Sequence, residues 1–261
     1  MPRPYQQTPY ELSPRDAILA HQREEDPLSA DDLLRALLGH PGWRVPTETE
    51  GGRDTLGVLV RPDGGRILEL FSDDDALATF SAREPDSETT QWRALPGYSI
   101  FAQADDDLAH RVNIDVHSEH TFRYQHDQLP LLRAWSHVVM AELAAYEPER
   151  FANPFAVLRR VPEWRLLLRL DGAERDWVFA PDNHDRSLAA IFTASDTIDA
   201  FIDAVGDQLE GELEIVTQTG EELFGALRAL PIDGIVINPL GPLPARALSI
   251  GVAEQVMRTA P

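Results

Sequence analysis

The side chains best suited to hold a metal ion or move a proton lie close together, at Asp115, His117, Glu119, His120 and His126. Imidazole and carboxylate are the ligands of zinc-type sites, and histidine titrates near neutrality. His117 and His120 are three apart, a spacing that suits one face of a helix. Asp115 and His117, two apart, suit one face of a strand. No cysteine and no distant His-Glu pair completes a ligand set. The stretch therefore reads first as an exposed polar loop between a strand and a helix. Its second reading is a metal-dependent enzyme or metal binder built on His117 and His120. Asp73-Asp74-Asp75 and Asp105-Asp106-Asp107 lack the alternate spacing, central Gly and terminal Glu of a calcium loop. They read as a helix cap and a solvated loop.

Other chemistries are excluded more firmly. There is no Gly-x-Ser-x-Gly elbow and no glycine-rich phosphate loop of the Walker or dinucleotide kind. Gly51-Gly52 and Gly64-Gly65 are isolated turns, and His184 sits among turn formers, with no Ser or Cys partner suggested by the sequence. No catalytic residue and no cofactor is assigned. The chain has 261 residues, 44 acids, 23 bases that are all arginine, no cysteine and a net charge of −21. The lack of cysteine removes disulfides, thiolate catalysis and Cys-ligated zinc. The acidity argues against nucleic acid or anionic membrane as a partner, because phosphate binding needs clustered cations. The charge is −13 over residues 1–147 and −8 over 148–261, so it is a property of the whole surface rather than of one tail. No secretory leader opens the chain and no apolar run reaches the ~18 residues of a spanning helix. The expectation is a cytoplasmic protein.

The elements that must position these residues fall into two passes. Residues 1–27 are rich in proline and acids and read as an N-terminal arm, loosely ordered or docked on something. Ser29 with Asp32 starts a helix carrying Leu33, Leu34, Leu37 and Leu38. Strands are expected at Leu56–Val60, Arg66–Phe71, Tyr98–Gln103 and Val112–Val116, a short helix at Asp73–Phe80 and a longer one at Leu129–Tyr146. Residues 147–152 read as a linker. Asn153-Pro154 then starts a helix, followed by strands at Arg165–Leu170, Asp176–Ala180 and Leu188–Thr193. A helix capped by Ser195 carries Ile198, Phe201, Ile202 and Val205. Strand Leu213–Thr217, helix Gly220–Ala229, strand Ile235–Asn238 and a helix over Ser249–Arg258 complete the pass. Trp43, Trp164 and Trp177 are expected in the core. If a strand face is exposed, they could instead anchor a partner.

The two passes resemble each other residue by residue. At an offset of 121, Leu37, Pro41, Trp43 and Arg44 meet Leu158, Pro162, Trp164 and Arg165; Leu70-Phe71-Ser72 meets Ile191-Phe192-Thr193, and Phe80 meets Phe201. At an offset of 135, Arg93-Ala94-Leu95-Pro96 meets Arg228-Ala229-Leu230-Pro231. A tandem duplication is the reading, with copies over 28–146 and 153–261. The fold class is α+β, each copy a small mixed or antiparallel sheet packed with helices.

The second copy ends Leu230-Pro231-Ile232-Asp233-Gly234-Ile235-Val236-Ile237-Asn238-Pro239-Leu240-Gly241. A proline, a short turn with Gly, three apolar residues and Asn-Pro-x-Gly resembles the C-terminal signature of the SseB N-terminal-domain-like family. The likeness covers about 110 residues of this copy. Copy one departs from it at the signature, where no Asn-Pro occurs. The resemblance implies a bacterial protein without recognised catalytic residues, found alone, in tandem or near secretion and toxin loci. Pro231, Gly234, Asn238, Pro239 and Gly241 are read as structural: Asn before Pro is pushed to extended geometry and closes an Asx-type turn. A ligand-contacting Asn238 is the competing reading. The function expected is a non-catalytic interaction module, an accessory, chaperone, immunity or secretion-associated protein. Its partner would be a basic protein, and the chain itself a monomer or homodimer.

Overall fold

Ser13 opens the first helix. Its hydroxyl accepts the Asp16 amide at 3.1 Å and Pro14 takes the first helical position, so α1 runs Pro14–His21. The architecture comes from a computed structural model that describes residues 8–23, 27–50, 53–61, 64–84, 90–104, 108–172, 174–181, 184, 186–209 and 211–259. The run Asp105-Asp106-Asp107 and the pair Gly51-Gly52 lie outside the described residues. The described part of the expected arm is folded: Ala17 and Ile18 of α1 are fully buried, and α1 packs on α2 (Ala30–Gly39). Two adjacent apolar residues are too short a pattern to stand out in a proline-rich segment.

The fold is α+β, and the chain divides into two compact units, Met1–Val139 and Met140–Pro261. In the first unit, α2 is followed by β1 (Trp43–Glu50), β2 (Arg53–Leu56), β3 (Leu59–Val60), β4 (Arg66–Leu70), α3 (Asp74–Ser81), β5 (Gln91–Leu95), α4 (Gly97–Phe101), β6 (Arg111–Ile114), β7 (Phe122–Gln125) and the start of α5 (Leu129–Tyr146). One sheet has the order β2-β1-β5 and another β3-β4-β6-β7, with β4 and β6 parallel. An Arg44–Phe71 bridge joins β1 to the end of β4. In the second unit come α6 (Pro154–Arg160), β8 (Trp164–Asp171), β9 (Glu174–Trp177), β10 (Phe179–Ala180), β11 (Leu188–Phe192), α7 (Ser195–Val205), β12 (Glu212–Gln218), α8 (Gly220–Leu227), β13 (Gly234–Ile237), β14 (Ala247–Ser249) and α9 (Gly251–Arg258). Its sheet runs β12-β8-β11-β13-β14, with β11 and β13 parallel. The division falls inside α5, ahead of the expected linker: Ala141, Ala144 and Ala145 belong to the second unit's core.

Strand alternation splits that core into two layers. Leu166, Ala189, Ile191, Ile235 and Ile237 face α6, α8 and α9, while Leu167, Ala190, Phe192 and Val236 face α7 with its Ile198 and Phe201. Trp43 and Trp164 are fully buried, and each indole N–H reaches back to a carbonyl six residues earlier, Leu37 at 2.8 Å and Leu158 at 3.2 Å. Trp177 packs half-buried against the second core.

Several elements depart from the sequence expectation: Leu56–Val60 divides between β2 and β3, β7 and β14 form where no strand is expected, and one segment changes type. Tyr98–Gln103 is helix and turn, not strand, and Gln91–Leu95 is the strand instead. The cause lies at Gly97, where a Cβ would strike the carbonyl oxygens of Leu37 and Leu38; Gly220 meets those of Leu158 and Arg159 in the same way. Both glycines start a helix that follows an edge strand. The Arg-Ala-Leu-Pro match therefore pairs unlike elements: Arg93–Leu95 is strand, whereas Arg228–Leu230 follows α8. β5-α4-β6 instead has the element order of β12-α8-β13.

Candidate functional site

That shift moves the site candidates. Asp115, the first of the metal-type residues, occupies in the first unit the place that Asn238 holds in the second. Each follows the central parallel strand in left-handed backbone, with φ of 49° and 48°. Each backbone N–H donates to the neighbouring strand, Asp115 to Leu70 O at 2.9 Å and Asn238 to Ile191 O at 2.8 Å. Each side-chain oxygen accepts a backbone N–H from the residue after the strand's Phe, Asp115 Oδ1 from Ser72 at 2.8 Å and Asn238 Oδ1 from Thr193 at 2.9 Å. Asp and Asn are the residues that tolerate this backbone best and have an oxygen at the right reach. The expectation that Asn238 is extended before Pro239 is overturned by this geometry. The side chain pins the turn to the sheet, and the local gain outweighs the pre-proline bias.

Beyond that shared lock, the two turns differ. The Asn238 amide donates to Glu142 Oε1 at 2.9 Å and to Thr193 Oγ1 at 2.7 Å, and Thr193 Oγ1 donates to Glu142 Oε1 at 2.8 Å. All three residues are buried. The Tyr146 hydroxyl donates to Ile237 O, and burial pushes its pKa up to about 12. Gly241 N–H closes the turn on Asn238 O at 2.8 Å, and Asp233 exchanges bonds with Ser187 at 3.0 and 2.8 Å. Pro231 is exposed and Gly234 opens β13. Asn238 and Gly241 thus build one pinned turn, while Pro231 and Gly234 lie ahead of it, before and at the start of β13. No ligand is needed to explain it, because its donors and acceptors meet within the chain.

In the first unit an acid replaces the amide, and one histidine, His120, lies beside it. Asp115 is fully buried, and burial raises its pKa above the ordinary carboxylate range against the opposing Ser72 bonds. Its Oδ2 lies 3.8 Å from His120 Nε2, and its carbonyl accepts from the hydroxyls of Ser118 and Thr121 at 2.7 and 3.0 Å. His117, at φ 71°, turns the other way: its ring stacks on Phe80 at 6.1 Å and its Nε2 lies 3.6 Å from Glu84. The two imidazoles of the candidate pair are directed at different acids. Among the described residues no group of three or more His, Asp or Glu is placed to hold a metal ion. Strand β7 fills part of the expected loop, ahead of His126.

Sequence reasoning missed a second buried acid. Glu69 on β4 sits opposite Asn113 on β6, 2 % exposed, and Asn113 Nδ2 donates to its Oε1 at 2.8 Å. Burial raises the Glu69 pKa, opposed by the Asn113 bond and by the charges of Arg61, Arg111 and His117. The corresponding pair in the second unit is Ala190 opposite Val236. A lone Glu between Leu68 and Leu70 reads as the polar side of an alternating strand, which is the commoner outcome. Arg35, buried over the Trp135 ring at 5.0 Å, is likewise not marked by its neighbours in sequence.

The exposed surface is where the charge lies. Asp74, Asp75, Asp199, Asp203, Asp207, Glu212 and Glu221 are all exposed. Arg44 bonds Asp74 at 2.6 Å and holds its carboxyl below the usual range. Arg159, Arg169, Arg175 and Arg258 are similarly paired with Glu221, Asp176, Glu214 and Glu254. Among the described residues no helix is long and apolar enough to cross a membrane.

No protein-family model matches the chain. No curated protein matches it either. Among solved structures, Tic22 of Anabaena, described as a protein of protein transport, is similar over 90 % of this chain and 99 % of that one, at 10 % identity and a TM-score of 0.25. A likeness at that score carries no argument about this chain.

Proposed function

We propose that this chain is a non-catalytic interaction module that binds a basic protein through its acidic surface, in an accessory, chaperone, immunity or secretion-associated role. The observation that carries the reading is the spread of exposed carboxylates over both units, with the named surface arginines already engaged by acids. Such a surface accelerates encounter with a cationic partner and repels polyanions. The buried polar groups support the same view. The pinned turn at Asn238 is satisfied within the chain, and the histidines at 117 and 120 do not converge on one point.

The reading includes the tandem duplication and the SseB-like resemblance. What supports the duplication is the recurrence of three devices: the Trp-to-carbonyl bond, the glycine against two carbonyls and the left-handed Asp or Asn after the parallel strand. Metal analysis of the purified protein tests the non-catalytic part, with His117→Ala and His120→Ala beside it. Substoichiometric metal, unchanged in both variants, is expected. A stoichiometric metal lost on either substitution would overturn the reading in favour of a metal site.

A further inference from the structure

The sheet of the second unit ends on an undefended edge. β12 pairs with β8 without a break, from Glu212 opposite Leu170 to Gln218 opposite Trp164. Among the described residues no strand lies on its other side. Such an edge leaves every second N–H and C=O free to pair with another chain, and proteins usually blunt it with proline, lysine, a bulge or short length. β12 has none of these. It is seven residues long, reads Glu-Leu-Glu-Ile-Val-Thr-Gln and keeps its register throughout. Its acids, Glu212 and Glu214, share one face, and Arg175 already donates to Glu214 at 3.3 Å. The other face, with Leu213, Ile215 and Thr217, carries no charge.

Ile215 stands at the centre of this strand and is 52 % exposed. The first unit closes the same position. Five residues before the helix-starting glycines Gly97 and Gly220 stand Trp92 and Ile215, the one opposite Pro46 and the other opposite Leu167. Trp92 covers Phe71 and Phe80 at ring distances of 5.4 and 6.1 Å. The second unit packs Phe192 on Phe201 at 5.4 Å and leaves the edge to a smaller, open side chain. The open apolar edge is thus not forced by the fold.

Self-complementarity says what covers it. Two antiparallel strands related by a two-fold axis keep each residue on the same face as its own mate, so the axis passes through one residue position. With the axis at Ile215, each Ile215 meets its mate, Leu213 meets the second copy's Thr217, Glu214 its Val216 and Glu212 its Gln218. All seven residues pair, and every acid faces a neutral side chain. An axis at Glu214 sets that acid against its mate, and one at Leu213 sets Glu212 against Glu214, both unfavourable. An axis at Val216 leaves Glu212 and Leu213 without strand partners.

We propose that the free edge of β12 is a self-association site, where two copies of this chain pair β12 to β12, antiparallel about Ile215, and join their sheets. The inference goes beyond the basic-partner reading and does not depend on it. Its salt dependence has the opposite sign, because two chains of charge −21 repel each other and screening relieves that repulsion.

The test is sedimentation of the full chain at rising concentration, at low and at high ionic strength. A monomer–dimer equilibrium that tightens with salt is expected. Ile215→Lys should weaken it about tenfold or more, because it sets two cations together at the axis. Thr217→Lys repeats the test at a second exposed position of the edge. The chain has no cysteine, so one introduced thiol reports the register. Opposed residues lie about 5 Å apart, within disulfide reach, whereas Thr217 and its mate would be ~13 Å apart along the strands. On oxidation Ile215→Cys should give a disulfide-linked dimer and Thr217→Cys should not. A monomer under all conditions, a dimer loosened by salt or untouched by both lysine variants, or equal cross-linking of the two cysteine variants would overturn the proposal and leave the basic-partner reading standing. An intact dimer that binds no basic protein would overturn that reading alone.

Discussion

Asn238 shows how much a single side chain fixes. It holds a left-handed backbone, accepts from Thr193 N–H and donates to Glu142 and Thr193. Asn238→Ala would strip the buried Glu142 carboxyl of one of its donors and leave the Thr193 N–H without its acceptor, at a cost of about 2–3 kcal/mol. Urea unfolding should register that as a lowered midpoint with an unchanged slope. Sequence alone flags Asn-Pro as a turn. It cannot flag Glu142, 96 residues away, because nothing local marks one Glu in a helix as the one that will be buried. Glu69 makes the same point with a pH consequence. Burial raises its pKa, so the folded state holds its proton to higher pH than the unfolded chain does. Stability contributed by that proton is present at low pH and lost as pH rises from the ordinary carboxylate range through the raised value. Glu69→Gln should flatten this part of the stability profile, from the ordinary carboxylate range upward. A profile as steep as the parent's would assign the dependence to other groups.

At the scale of elements, periodicity locates most of the fold. α5 has the bounds expected of it, and the helix over Ile198, Phe201 and Val205 is legible from its apolar stripe. The Trp-bearing second-unit strand and the parallel Leu188–Phe192 strand are legible too. What fails is short. Tyr98-Ser99-Ile100-Phe101 is as apolar as a strand, and only the tertiary contact at Gly97 decides for helix. That contact carries a prediction. Gly97→Ala and Gly220→Ala each drive a Cβ into a backbone carbonyl, and each should cost about 2–3 kcal/mol, because backbone rather than a flexible side chain must yield. Thermal unfolding of the two variants checks this; a neutral result at either position would mean that the helix start there relaxes freely. The strands β7 and β14 escape a sequence reading for a related reason. They are short and lie at sheet edges, where burial gives no clean alternation.

At the scale of the molecule, the net charge of −21 keeps its sequence-level meaning and gains a location. Acids are exposed on α3, on α7 and at the start of β12, and no described helix is apolar enough to span a membrane. Charge distribution is legible in the sequence because it needs no fold. The apolar pair Val236 and Ala247 is not, because the two residues stand side by side on strands that only folding brings together. The proposed function depends above all on a basic protein partner. Affinity capture of the intact chain from native lysate, washed at low ionic strength and then eluted with a salt step, tests that most directly. A basic protein recovered in stoichiometric amount and released by salt is the predicted result, as screened surface charge requires. An acidic or neutral partner that withstands the salt step, or turnover on a substrate panel with no partner at all, would contradict it.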